Sequence, residues 1–87
     1  MAVYGGIPPN GLSVFMEVRL FATLREGRGK VIDVPWSAGM DGFSLFAALG
    51  IDETDIAVFL INGAHSKHDA ALKETDVVAL FPPTGGG

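Results

Sequence analysis

The sequence predicts an α+β domain in which one helix lies across one face of a β-sheet, and three observations carry that prediction. Apolar and polar residues alternate from Val14 to Leu20, helical spacing occurs only around Phe43 to Leu49, and Ile56 to Ile61 is continuously apolar. A chain of 87 residues, 48% hydrophobic and 18% charged, is long enough for one core and no second, and too apolar for disorder.

Residues 1–13 stand apart. Gly5-Gly6-Ile7-Pro8-Pro9-Asn10-Gly11 is turn chemistry without periodicity, so this stretch is expected to be a flexible N-terminal extension. The folded domain is expected over residues 14–83. In its first strand Met16, Val18 and Leu20 point inward while Glu17 and Arg19 point out. Glu26-Gly27-Arg28-Gly29 is a turn, and Lys30 to Val34 returns as a second strand with Ile32 and Val34 inward, giving an antiparallel hairpin. Pro35 ends that strand.

Asp41 is placed to cap a helix with its carboxylate, and Gly50 is a left-handed stop. Between them Phe43, Leu45, Phe46 and Leu49 form an apolar stripe; the helix is short, so packing must hold it. Ile56 to Ile61 reads as a central strand covered on both faces or nearly so, and Asn62-Gly63 as the turn after it. Leu72 to Asp76 is a further turn and Val77 to Phe81 the last strand, which Pro82-Pro83 releases into an extended exit. The expected core is Val18, Leu20, Ile32, Val34, Leu45, Leu49, Val58, Leu60, Val78 and Leu80.

Charge and composition remove several function classes. Ten acidic residues against six basic ones give a net charge of −4, which argues against nucleic-acid binding through a basic surface. The densest basic group, Arg25, Arg28 and Lys30, reads as a solvated turn. With no cysteine there is no disulfide, no thiol catalysis and no thiolate metal site. No apolar run has the length of a membrane span and no signal peptide is evident, so no membrane partner and a cytoplasmic location are expected.

The sequence closes on Thr84-Gly85-Gly86-Gly87. A glycine carboxylate has no Cβ beside it, and glycines pass a narrow channel without side-chain clash. Four residues extended reach roughly 13 Å, enough to enter another protein's active site. Residues 84–87 are therefore expected to be a flexible tail, with Gly85 to Gly87 mobile in the free protein.

The ordered elements and this ending resemble the ubiquitin-like β-grasp sulfur carriers, a family that includes the small subunit of molybdopterin synthase and the thiamin sulfur carrier. The resemblance runs from about Met16 to Gly87. It is strongest over Leu72 to Pro83 with the terminal glycines, and weaker over Val18 to Glu26 and Ile61-Asn62-Gly63. Thr75 stands where many relatives carry glycine, and the helix is shorter than theirs.

The resemblance implies a β-grasp fold: a mixed sheet of four or five strands with one principal helix. It implies that an E1-like activating enzyme uses ATP to adenylate the Gly87 carboxylate, and that sulfide equivalents then displace AMP to leave a thiocarboxylate. No cofactor would be bound and the chain would not itself be an enzyme; the catalytic groups would belong to its partners. Phe81, Pro82, Pro83, Thr84, Gly85 and Gly86 would contact those partners, among them a larger synthase subunit or another sulfur acceptor. The Phe81-Pro82-Pro83 exit favours molybdopterin or tungstopterin cofactor biosynthesis. The alternatives are a thiamin sulfur carrier, a ubiquitin-like protein modifier that forms isopeptide bonds, and a non-catalytic β-grasp interaction module.

Other residues carry less. His65, His68 and Asp69 offer no fourth ligand for a metal and read as surface residues. Asp52, Glu53 and Asp55 form either a solvated loop or an electrostatic docking patch. Trp36 is either a lid on the core or an exposed anchor. Ser13, Ser37, Ser44 and Ser66 lie in no nucleophile motif.

Overall fold

The computed structural model describes residues 14–83. The polypeptide runs β1 (Phe15–Leu20), a 3-10 turn (Ala22–Arg25), β2 (Val31–Pro35), α1 (Gly42–Leu49), a second 3-10 turn (Glu53–Asp55), β3 (Val58–Ile61), β4 (Ala64–His65) and β5 (Val77–Phe81). The five strands form one mixed sheet in the order β2-β1-β5-β3-β4. β1 and β5 pair in parallel at its centre, and every other pairing is antiparallel.

The hairpin follows the alternation. Met16, Val18 and Leu20 are fully buried, and β2 turns Val34 to the same side. Pro35 is the last residue of β2 and pairs with Phe15, so the strand runs one residue beyond the expected stop. The helix is held at both ends. Asp41 accepts a hydrogen bond from the Ser44 backbone N–H at 2.9 Å, and Gly50 closes the last turn at φ 70°. Leu45 and Phe46 fill the space between helix and sheet, where the Phe46 ring meets Phe59 edge-on at 5.3 Å.

The structure corrects the inward face of β3. Val58 and Leu60, expected in the core, lie half-buried on the sheet face away from the helix. Phe59 is the buried residue of this strand. Register explains it: Phe59 pairs with Leu80 and Ile61 with Val78, and both partners face the helix. One helix covers only one face, so a continuously apolar strand has a buried side and a half-exposed side. Ile32 and Leu49 are likewise half-buried, packed at the margin of the core. Phe43 is 44% exposed and belongs only marginally to the helix stripe.

Trp36 is a lid on the core. Its ring packs against the buried cluster and its indole N–H donates to the Leu72 carbonyl at 2.8 Å. Within the described residues, no helix is long and apolar enough to cross a membrane.

Candidate functional site

β5 delivers the chain to the end of the sheet at Phe81. The strand is fixed on both sides there: Phe21 N–H donates to the Leu80 carbonyl at 3.2 Å, and Ala57 N–H donates to the Phe81 carbonyl at 2.8 Å. These bonds hold the backbone up to the residue before Pro82. Proline supplies no N–H of its own, so the ladder stops at that point.

The Phe81 side chain lies on the face away from the helix, where it stacks on Phe21 with ring centroids 4.1 Å apart and planes within 9°. Arg25 borders this pair. Its guanidinium carbon lies 5.3 Å from the Phe21 ring centroid, while its Nε donates to the Leu20 carbonyl at 2.8 Å. Arg25 is thereby oriented by the end of β1 and attracted to the negative face of the ring. Val58, Leu60 and Ala79 continue the half-buried apolar surface from Phe81 across β3 and β5. The result is an aromatic platform with a cation at its rim, beside the point where the chain leaves the sheet.

Pro82 and Pro83 border an open groove of about 400 Å³ lined also by Thr23, Leu24, Arg28, Gly50, Ile51 and Asp55. Arg28 is half-buried, which corrects the reading of this basic group as a solvated turn. Its guanidinium donates to the Leu49 carbonyl at 3.2 Å, the Gly50 carbonyl at 3.3 Å and the Leu24 carbonyl at 3.2 Å. The last carbonyls of a helix lack partners within it, and a cation there also complements the helix dipole. Arg28 thus ties the turn after β1 to the helix end and shapes one wall of the groove.

Of the six residues expected to meet partners, Phe81, Pro82 and Pro83 are adjacent at the exit, with Phe81 and Pro82 half-buried and Pro83 exposed. Thr84, Gly85, Gly86 and Gly87, the residue expected to be activated, lie outside the described residues, as do the expected tail mobility and the N-terminal extension. Phe21 and Arg25 carry as much of the platform as Phe81 does. Phe21 sits within the Val18-to-Glu26 segment, but its pairing with Phe81 depends on the parallel register of β1 and β5, which no local pattern reveals.

The histidines are separated. His65 is exposed on β4, whereas His68 lies edge-on to Phe46 at 5.1 Å and 3.5 Å from the Glu53 carboxylate. His68 is therefore a packing residue at the helix start rather than a freely exposed one. Among the described residues no three metal-ligating side chains converge. In the acidic cluster, Asp52 caps the second 3-10 turn: the Thr54 backbone N–H and then the Thr54 hydroxyl hold its carboxyl below the usual aspartate range.

Comparison with known proteins agrees with this architecture. The model of the ThiS family matches residues 18–87. No curated protein sequence matches the chain significantly. Among solved structures, the crystal structure of SAMP1 from Haloferax volcanii superposes with a TM-score of 0.65 at 26% identity, covering 84% of this chain and 99% of that one. A second crystal structure, described as H. volcanii small archaeal modifier protein 1, gives a TM-score of 0.66 at 26% identity, covering 82% and 99%. The five-stranded mixed sheet with its single helix is a ubiquitin-like β-grasp.

Proposed function

Because the chain belongs to the ThiS family, we propose that it is a sulfur carrier whose Gly87 carboxylate is adenylated and converted to a thiocarboxylate. The observation that carries this reading is the family match running through Gly87 on a domain whose central strand β5 ends at the exit. A carboxylate is a poor acyl electrophile. An E1-like partner that forms the mixed anhydride with AMP, at the expense of ATP, supplies the leaving group. Sulfide equivalents then attack the acyl carbon, the C–O bond to AMP breaks, and the sulfur remains on the carrier. The carrier's own residues hold and present: Ala57 fixes the end of β5, Pro82-Pro83 direct the chain outward, and the Phe21–Phe81 platform docks the partner. The acceptor on this reading is a larger synthase subunit in pterin-based molybdenum or tungsten cofactor assembly, favoured by the Phe81-Pro82-Pro83 exit.

The test is intact-protein mass after incubation with the cognate activating enzyme, ATP and a sulfur donor. Exchange of one carboxylate oxygen for sulfur adds about 16 Da, a shift that methionine oxidation shares. The gain must therefore map to the C-terminal peptide and vanish without ATP. An unmodified Gly87, under conditions where the same enzyme loads another carrier, would sink the proposal.

A second reading has a specific observation behind it: both named structural neighbours are small archaeal modifier protein 1. On that reading the same activated acyl group is attacked by a lysine Nζ on a target protein, giving an isopeptide bond. Slower-migrating conjugates that carry the Gly87 peptide on lysine distinguish it from sulfur transfer.

A further inference from the structure

The two edges of the sheet are unlike. β4, at one edge, is only two residues long, which blunts it against strand addition. β2, at the other, runs five residues and presents a backbone whose orientation follows from the ladder. Leu20 N–H donates to the Lys30 carbonyl and Trp36 N–H to the Val14 carbonyl, each at 2.8 Å. In an antiparallel pair every second residue is so bonded, which makes Met16–Val34 and Val18–Ile32 the bonded pairs. Val31, Asp33 and Pro35 therefore turn their backbone groups away from β1.

Pro35 occupies a position where its missing N–H faces outward and costs the sheet nothing. Two N–H donors and three carbonyl acceptors stand on this edge, with no partner among the described residues. The same three residues place their side chains on the face away from the helix. Val31 is 56% exposed, Asp33 is exposed, and Pro35 lies beside Phe15, itself 52% exposed. Of the two carboxylates at the middle of this surface, Glu17 is held by Arg19 Nε at 2.6 Å, and Asp33 forms no ion pair among the described residues.

We propose that β2 accepts an extended segment of a partner protein as a sixth strand, and that the segment carries a lysine or arginine flanked two residues away on each side by apolar residues. Main-chain hydrogen bonds to Val31 and Asp33 hold the segment, and alternate side chains select it. The cation meets Asp33; one apolar residue covers Val31 and the other covers Phe15 and Pro35. The pattern reads the same in both directions, so parallel and antiparallel addition call for the same composition. A second copy of this chain is the poorer occupant, because pairing two β2 strands about their centres sets Asp33 against Asp33. This surface is separate from the β5 exit, and the proposal does not depend on the sulfur-carrier reading.

The experiment is a titration of the full-length, nitrogen-15-labelled protein with a capped peptide containing Val-Thr-Lys-Thr-Val in large excess. Saturable amide shifts centred on Val31 and Asp33 are expected, with slowed hydrogen exchange at those two amides. A peptide with glutamate in place of lysine should bind about fivefold more weakly. Asp33→Lys, an exposed change that leaves the core untouched, should reverse the preference between the two peptides. The proposal is overturned if the β2 edge does not shift, or if peptide charge makes no difference. It is also overturned if the free protein self-associates through Val31 and Asp33, which would make the occupant a second copy.

Discussion

Asn62 and Asp76 join two turns across the sheet: the Asn62 side-chain amide donates to Asp76 Oδ1 at 2.9 Å, and Asn62 Oδ1 accepts from the Val77 N–H at 2.9 Å. The other Asp76 oxygen accepts from the Lys73 backbone N–H at 2.8 Å, and Asp76 is only 6% exposed. Asn62 takes φ 52°, a left-handed conformation that asparagine tolerates better than most residues. The Ile61-Asn62-Gly63 and Leu72-to-Pro83 segments, which resemble the same family separately in sequence, are thus one structural unit. That unit fixes where β5 begins, and so where it delivers the chain at Phe81.

Removing Asp76 should therefore be costly. Asp76→Ala removes the acceptor of two part-buried hydrogen bonds, from the Asn62 side-chain amide and the Lys73 backbone N–H, at about 1–3 kcal/mol together. Asp76→Asn keeps an acceptor for Lys73 and should lose less. Urea unfolding of the two variants reads the order. Equal stability of Asp76→Ala and wild type would show that water replaces these bonds without penalty.

A second expectation distinguishes the two faces of β3. Phe59→Ala removes a ring packed under the helix and should cost about 3–5 kcal/mol, whereas Leu60→Ala, on the half-buried face, should cost far less. The helix repeats the contrast: Leu45→Ala should cost about 2–5 kcal/mol and Leu49→Ala less, because Leu49 only borders the core. Thermal melts of the four variants test both pairs. A reversed order at Phe59 and Leu60 would mean that β3 turns Leu60, and not Phe59, toward the helix.

These contrasts also mark what was legible in the sequence. β1 and β2 alternate cleanly, and the helix carries its own start signal in Asp41 and stop signal in Gly50, so each could be read locally. Ile56 to Ile61 offers no polar residue to mark a face; only the pairing of Phe59 with Leu80 decides which side is buried. The 3-10 turn at Ala22–Arg25 contains Ala22 at φ 53°, a conformation that no local preference of alanine announces. The exit was legible at Phe81 because prolines end strands, but the platform was not. Phe21 and Phe81 are sixty residues apart in sequence and meet only through the parallel β1–β5 register.

The helix cap should give the protein a measurable acid response. The Ser44 backbone N–H first, and the Ser44 hydroxyl second, hold the Asp41 carboxyl below its ordinary value. A carboxyl whose folded pKa is depressed contributes stability above its unfolded value, near about 3.9. That contribution is lost as pH falls through the lower folded value. The protection of the Ser44 amide, taken relative to its intrinsic exchange rate at each pH, should fall across that window. Asn at position 41 still caps but does not titrate there, so Asp41→Asn should remove this part of the acid response. An unchanged acid profile in Asp41→Asn would assign the response to other carboxylates.

The last expectation concerns the platform beside the exit. Stacking of Phe21 on Phe81 is worth about 0.5–1.5 kcal/mol beyond the area it buries, so Phe81→Ala should leave the domain folded but somewhat less stable. If the platform docks the activating partner, the loss of a central aromatic contact should weaken the complex by more than about 1 kcal/mol, roughly a fivefold rise in Kd or more. Phe21→Ala should produce a similar defect although it lies just after β1, because Phe21 supports the ring that would be recognised. Val31→Lys, on the β2 edge, should leave this interaction unchanged. Titration calorimetry of the three variants against the activating enzyme separates the surfaces. If both phenylalanine variants bind as wild type while Val31→Lys does not, the partner docks on the β2 edge and the aromatic platform serves packing alone.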